Sequence, residues 1–222
     1  MIKVLTWFGR KAGLSRREFC DYWRNEHPKA VLQMPGLRAY NQNPTTDAGY
    51  AKGEPFCDGV AETWWDDLEA LHAHRGTAQL DALMADETHF INADRRHSLV
   101  VEEVVIIDGS PGADAIKQFT WLTRRPDLTS QQCQSYWRDH HGPLASNVPA
   151  MARYVQNHTV AHQYRDGRQP AFDGVAVAYL KDLETARAAA RSPELAATRA
   201  DEANFLDITS LPFIVATEIK IV

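Results

Sequence analysis

Hydrophobic and polar positions along the first half of the chain predict a short series of elements. Residues 2–8 mix β-branched and aromatic side chains and predict a strand. Ser15-Arg-Arg-Glu18 has the pattern of a capping box, with Ser15 as N-cap and Glu18 reaching back. Phe19, Tyr22, Trp23 and Glu26 or His27 then recur at helical spacing. Pro28 should push His27 out of helical angles, so the helix is expected to end there or just before. Residues 37–43, flanked by Pro35-Gly36 and Pro44, predict a second strand, and residues 57–65 a third. Asp66 or Asp67 caps a second helix with Leu68 and Leu71 on its inner side; Thr77 restarts a helix carrying Leu80, Leu83 and Met84. The valine- and isoleucine-rich residues 99–107 predict the last strand.

The pattern is then written a second time. Ile2-Lys-Val-Leu-Thr-Trp7 returns as Ile116-Lys-Gln-Phe-Thr-Trp121, and the register holds through Tyr22-Trp-Arg24 against Tyr136-Trp-Arg138, His27 against His141, Tyr40 against Tyr154 and Asn43 against Asn157. After one inserted residue, Asp58-Gly-Val60 matches Asp173-Gly-Val175, Asp86-Glu87 matches Asp201-Glu202, and Phe90 matches Phe205. Thr129-Ser-Gln-Gln132 rebuilds the capping box with other residues, and Ser192-Pro193 opens the last helix with an N-cap and a first-position proline. The units are residues 1–109 and 115–222, joined by a linker, Ser110-Pro-Gly-Ala-Asp114. Each reads β-α-β-β-α-β, a ferredoxin-like plan with helices on one sheet face. The other face should be apolar and need cover. The expectation is therefore an α+β protein: two tandem ferredoxin-like units whose sheets pack into a pseudo-dimeric α+β barrel, as a monomer or a further homodimer.

Composition narrows the function classes. A net charge of −5 and a pI near 6.0 argue against nucleic acid as a partner. No apolar run approaches a membrane span, and the five-residue apolar start reads as a strand rather than a signal peptide. Three cysteines, Cys20, Cys57 and Cys133, without C-x-x-C suggest a reducing, cytoplasmic setting. Glycine-rich phosphate loops, G-x-S-x-G and haem-attachment motifs do not occur, so no cofactor is expected. Nor is a metal: His72-Ala-His74 would point apart on a helix, and His158 and His162 fall in a loop reading.

The run Arg10-Lys-Ala-Gly-Leu-Ser15, Glu18-Phe19, Tyr22-Trp23, Glu26-His27 resembles the EthD-like branch of the dimeric α+β barrel superfamily. Arg124-Arg-Pro-Asp-Leu-Thr129, Tyr136-Trp137 and His140-His141-Gly-Pro-Leu144 resemble it more closely. The first copy departs from that pattern at His27-Pro-Lys-Ala30. The resemblance implies small aromatic, polyketide or lactone-like substrates, bound between sheet and helices. It implies activities that run from cofactor-free dehydratases, decarboxylases and lactone isomerases to quinone-forming monooxygenases.

In that resemblance the helix-end histidine is the acid–base candidate, here His27 and His141. Tyr40 and Tyr154 on strand two could donate to an enolate-like oxygen, with Asn43 and Asn157 orienting the substrate. Trp7, Trp64, Trp121, Tyr179, Phe90 and Phe205 supply a candidate aromatic wall. The plain alternatives are helix capping for the histidines, core filling for the aromatics and a turn at Asn43. His89, replaced by Asn204 in the second copy, follows Asp86-Glu87 and could form a His–carboxylate pair; His140 replaces Glu26. The leading expectation is a cofactor-independent lyase or isomerase in aromatic-compound catabolism, acting by dehydration, retro-aldol cleavage or decarboxylation. A cofactor-free quinone-forming monooxygenase and a non-catalytic ligand-binding or oxygenase-accessory protein are the alternatives.

Overall fold

A computed structural model describes residues 1–222. The chain forms two compact units, residues 1–100 with 218–222, and residues 101–217. The first contains β1 (Ile2–Arg10), α1 (Arg16–Asn25), the single-turn α2 (Pro28–Val31), β2 (Leu37–Pro44), β3 (Gly59–Trp65), α3 (Leu68–His72), α4 (Ala78–Glu87) and the first half of β4 (Ile91–Ile107). The second contains the rest of β4, β5 (Ile116–Leu122), α5 (Ser130–Tyr136), α6 (Gly142–Ala145), β6 (Met151–Thr159), β7 (Gly174–Leu180), α7 (Leu183–Ala189), α8 (Pro193–Glu202) and β8 (Phe213–Ala216). The short β9 (Ile219–Lys220) belongs to the first.

Strand order within the units is β4-β1-β3-β2-β9 and β8-β5-β7-β6-β4. The core order of the ferredoxin-like plan thus occurs twice, with β1–β3, β2–β3, β5–β7 and β6–β7 all antiparallel. The units differ from the sequence repeats only by their exchanged tails. Val101–Ile107 pairs with β6, while Asn41 faces Lys220 and Gln42 faces Ile219. Tyr40 N donates to Val222 O at 2.9 Å, and Asn41 Nδ2 to Glu218 Oε1 at 2.8 Å.

The helix starts follow their capping chemistry. Ser15 accepts from Glu18 N while Glu18 accepts from Ser15 N, and Thr129 and Gln132 repeat the exchange. Asp67, not Asp66, caps α3. β4 begins at Ile91, well before the apolar run. Its polar start, Asn92 to Ser98, belongs to a strand hydrogen-bonded to β1, and main-chain pairing needs no apolar side chain.

One sheet face carries the helices. In the first unit Phe19 and Trp23 of α1 pack with Phe8, Tyr40, Ala61 and Phe90. A Cβ at Gly59 would stand 2.3 Å from Trp23 Cζ3, and at Gly174 2.6 Å from Trp137 Cζ3. These glycines let one indole per unit reach the sheet. The preceding Asp58 accepts from Arg10 and from Tyr50 Oη at 2.6 Å; Asp173 does the same for Arg124 and, at 2.8 Å, Tyr164. This explains the repeated Asp-Gly-Val.

The face without helices is not the apolar surface expected from the pattern. Lys3 Nζ lies 2.5 Å from Glu62 Oε1, both essentially buried, and Asn43 Nδ2 donates to Glu62 Oε2 at 3.0 Å. Strand alternation puts these residues together. Mutual neutralisation is what allows the two charges to be buried. In the second unit Lys117 and Asn157 keep their places, while Val177 replaces the glutamate.

Candidate functional site

Each candidate histidine is set by a widened helical turn. Tyr22 O accepts from both Glu26 N (2.9 Å) and His27 N (3.2 Å). In the second unit Trp137–His141 form a π-helical turn, with Gly142 N donating to Trp137 O. His27 keeps helical angles (φ −56, ψ −35), contrary to the expectation from Pro28. Pro28 opens α2, where its missing N–H costs nothing, and tertiary contacts of the His27 ring override the local preference.

Those contacts form a relay. His27 Nδ1 lies 2.6 Å from Asp86 Oδ2, and Tyr22 Oη donates to Asp86 Oδ1 at 2.8 Å. Phe90 packs on the His27 ring at 4.8 Å. A carboxylate can only accept, so Nδ1 carries the proton and Nε2 presents its lone pair. Burial lowers the His27 pKa below its ordinary 6.5; Asp86 raises it and offsets only part of that effect. His27 is therefore neutral, and a base, at pH 7. The second unit has the same arrangement, with His141 Nδ1 2.8 Å from Asp201 Oδ2 and Tyr136 Oη 2.8 Å from Asp201 Oδ1. Burial lowers the His141 pKa as well. Asn204 Nδ2 adds a bond to Asp201 at 2.9 Å. Burial disfavours the Asp201 charge, but the bonds from Tyr136, Asn204 and His141 outweigh it and hold this carboxyl below the usual range.

Tyr40 completes the first site. Its oxygen accepts from Trp23 Nε1 at 3.0 Å and from Gln42 Nε2 at 2.9 Å. Both bonds are received, so the hydroxyl proton remains to be donated. Burial raises the Tyr40 pKa, and pushes that of Tyr154 up to about 12, so both stay protonated donors.

His27 and Tyr40 line one cavity of about 330 Å³ between the sheet and helices of the first unit. Val4, Thr6 and Phe8 of β1 and Ala61, Thr63 and Trp65 of β3 form its floor; Val31, Leu71, Leu80 and Leu83 face it from the helical side. Glu87, His72, His74, Arg75 and Arg96 supply the remaining polar wall. The corresponding cavity of the second unit, with His141 and Tyr154, measures about 100 Å³. A cavity of about 150 Å³ admits benzene. The first therefore has room for a fused aromatic ring system and the second does not.

Several expected pocket residues lie elsewhere. Alternation along β1 sends Thr6 and Phe8 to the cavity and Trp7 to the opposite face, where it stacks on His97 at 5.6 Å. Trp64 packs against Lys3, and Asn43 donates to Val60 O and Glu62 on that same face. Trp121, Asn157 and Tyr179 repeat these placements: Asn157 Nδ2 donates to Val175 O at 2.9 Å, and Tyr179 packs on Lys117. None of the six lines either cavity. His89 is exposed, stacked on Tyr22, with Nδ1 at 3.0 Å from Asp86 O. The Asp86 carboxylate serves His27 instead. Phe90 lies behind His27, whereas Phe205 does line the smaller cavity.

Other residues emerge only in three dimensions. Glu87 holds Arg96 by two bonds of 2.6 and 3.0 Å at the first cavity. His158 belongs to β6, not a loop; its ring stacks on Trp137 at 4.6 Å and Nε2 bonds Gln156 Oε1 at 2.9 Å. No three His, Cys, Asp or Glu side chains converge in a cluster that could hold a metal ion. No helix is long and apolar enough to cross a membrane. The signal that could have paired Asp86 with His27 was joint repetition: Tyr22, His27 and Asp86 all recur, as Tyr136, His141 and Asp201.

Fold and site together define a tandem ferredoxin-like α+β protein with one histidine–aspartate–tyrosine relay in each unit. The EthD domain model matches residues 11–94 and again 125–209, so the chain belongs to the EthD family, in a tandem form. No curated protein matches the chain. Among solved structures, an anthrone oxidase-like protein is similar at TM-score 0.67 and 14% identity, over 99% of this chain and 92% of that one. A protein from Fusobacterium nucleatum subsp. nucleatum ATCC 25586, provisionally described as a monooxygenase, gives 0.60 and 8%, over 98% and 91%. Another so described, from Lactobacillus acidophilus NCFM, gives 0.57 and 9%, over 98% and 93%. These likenesses establish the fold. The oxidative descriptions of those proteins stand against the leading expectation of a lyase or isomerase.

Proposed function

We propose that the chain is an oxygenase that converts a phenolic or anthrone-like aromatic to a quinone, using its own side chains at the first-unit cavity. One observation carries the reading: a neutral histidine, fixed as a base by Asp86 and Tyr22, shares an aromatic-sized apolar cavity with the oriented hydroxyl of Tyr40. His27 Nε2 takes the acidic proton of the substrate, and Tyr40 donates to the oxygen on which charge develops. The electron-rich carbon so formed reacts with dioxygen. One oxygen atom enters the ring carbon as a carbonyl and the other leaves as water, so a C–H-bearing phenol plus O₂ gives quinone plus water without an external reductant. The apolar lining keeps bulk water from the anionic intermediate. The second-unit relay is structurally equivalent, but its cavity is too small for the same substrate.

The test is oxygen uptake by pure protein with 1-naphthol and with anthrone, with ¹⁸O₂ label followed into the quinone. His27→Ala and Tyr40→Phe are expected to lose about 10²–10⁴-fold in rate, while His141→Ala keeps activity. Absence of uptake with either class of compound, or equal activity in His27→Ala, overturns the reading.

A further inference from the structure

The geometry points to a carboxylate-recognising subsite in the first-unit cavity, at His74 and Arg75, which makes the substrate a hydroxylated bicyclic aromatic acid. This deepens the proposed function and rests on it for the reacting end only.

His74 is buried in the cavity wall, its ring tilted against Trp65 at 4.9 Å. Its carbonyl is fixed by Thr77, whose N and Oγ1 lie at 3.1 and 2.8 Å, while Nε2 has no hydrogen-bond partner within the protein. A buried polar nitrogen left unpaired is destabilising, and a ligand oxygen is the partner this site lacks. Gly76, at φ +73, makes the tight turn that holds the His74–Arg75 segment between α3 and α4.

The exposed Arg75 lines the same cavity, and its guanidinium makes no ion pair or hydrogen bond, only its backbone N–H donating to His72 O at 3.1 Å. The other cavity arginine, Arg96, is already neutralised by Glu87. One positive charge is therefore uncompensated, beside an unpaired imidazole nitrogen, and a planar carboxylate suits both. The second unit removes this chemistry along with the room for a ligand. Ala189 and Ala190 stand where the first has His74 and Arg75.

Register sets the spacing. Tyr40 pairs with Thr63 across the sheet, and Trp65 is the next residue of β3 on the same face. That backbone step is roughly 7 Å, so the Trp65–His74 end lies farther along β3 than the Tyr40 end, in the direction in which the second ring of a bicyclic aromatic would extend.

The experiment compares 5-hydroxy-2-naphthoate with 1-naphthol, titrated without oxygen and followed by tryptophan fluorescence, which Trp65 reports. The native chain is expected to bind the acid at least tenfold more tightly. Arg75→Ala and His74→Leu should each bring that ratio within about threefold, with Arg75→Lys and His74→Gln intermediate. Arg75 is exposed, so Arg75→Ala keeps a folded protein even where His74→Leu does not; near-ultraviolet circular dichroism checks this. A ratio near one in the native chain, or one unchanged in both Arg75→Ala and His74→Gln, overturns the subsite. The two readings fail separately. Oxygen uptake with 1-naphthol and no preference for the acid removes only the subsite. Preferential binding of the acid without oxygen uptake removes only the oxygenase.

Discussion

Acid should unfold this protein through a histidine outside the proposed site. His158 lies buried on Trp137, and burial, assisted by nearby Arg138, lowers its pKa from 6.5 to about 4. The folded state therefore resists a proton that the unfolded chain accepts. Between pH 6.5 and 4 the unfolded chain binds more protons, so stability falls as pH falls. At 1.36 kcal/mol per pKa unit, the loss attributable to His158 is about 2–3 kcal/mol by pH 4.5 and levels off at about 3–4 kcal/mol well below pH 4. The assay is urea unfolding of the native chain and His158→Gln at pH 7.0 and 4.5, the stability difference being compared between the two pH values. His27 and His141, whose pKa values are also lowered by burial, titrate in both proteins and cancel. The variant should start less stable, having lost the stack on Trp137, and then lose about 2–3 kcal/mol less on acidification. Equal losses in the two proteins, or an imidazole NMR titration placing His158 near 6.5, refute the reasoning. The result matters for function, because an activity loss near pH 4 would otherwise be mistaken for protonation of the base.

Other expected outcomes concern the relay and the frame that holds it. Because His27 must be neutral to act, kcat/KM should rise with pH through its lowered pKa and level off above it. Asp86→Asn removes a contact that raises that pKa, so the acid limb should move to lower pH while the rate falls about 10²-fold; a limb that moves upward contradicts the relay. Gly59→Ala drives a Cβ to 2.3 Å from Trp23 Cζ3 and should cost about 1–3 kcal/mol or more, read as a drop in Tm. Lys3→Met strands the buried Glu62 carboxylate and should cost about 3–5 kcal/mol. Adding Glu62→Val, the residue the second unit carries as Val177, should recover most of it; a double variant no more stable than Lys3→Met refutes the pairing.

The fold was legible because the chain states it twice. Local signals for strands and caps are weak singly, but Ser15/Glu18 and Thr129/Gln132 build one device from different residues, which fixes a helix start better than either alone. The histidine and tyrosine of each cavity were legible for the same reason. Period-two alternation divides Trp7 from Phe8, but does not say which set the helices will cover, so Trp7, Trp64 and Asn43 fell on the wrong side. Sequence proximity pairs Asp86 with His89, whereas its partner, His27, is 59 residues away. The sequence pattern continues the helix through His74, whereas α3 ends at His72 and His74 lies in the turn that follows. Gly76 and the Thr77 cap signal a break nearby, but the bonds that place the end itself, such as Thr77 Oγ1 to His74 O, depend on the turn already being made.

The unequal cavities run against a simple volume argument. Where the first unit has Val31, Trp65, His74 and Leu83, the second has Ala145, Leu180, Ala189 and Thr198. At these four positions the first unit carries the larger side chains and yet holds the larger space, although at the floor Gln118 replaces the smaller Val4. Small residues do not open a pocket when the helices that carry them can settle onto the sheet, since the separation of packed elements follows the bulk at the contact. Ala145, Ala189 and Thr198 are buried in that settled position, while α4 of the first unit buries no residue at all. Bulky Leu83 and Trp65 act as spacers that keep the helices off the β-sheet around His27 and Tyr40. Divergence between the two copies therefore needed no change in the relay itself, which both retain. The two cavities differ instead in their walls, by the smaller residues above and by Gln118 in place of Val4, and only the first combines room with the polar groups for a substrate.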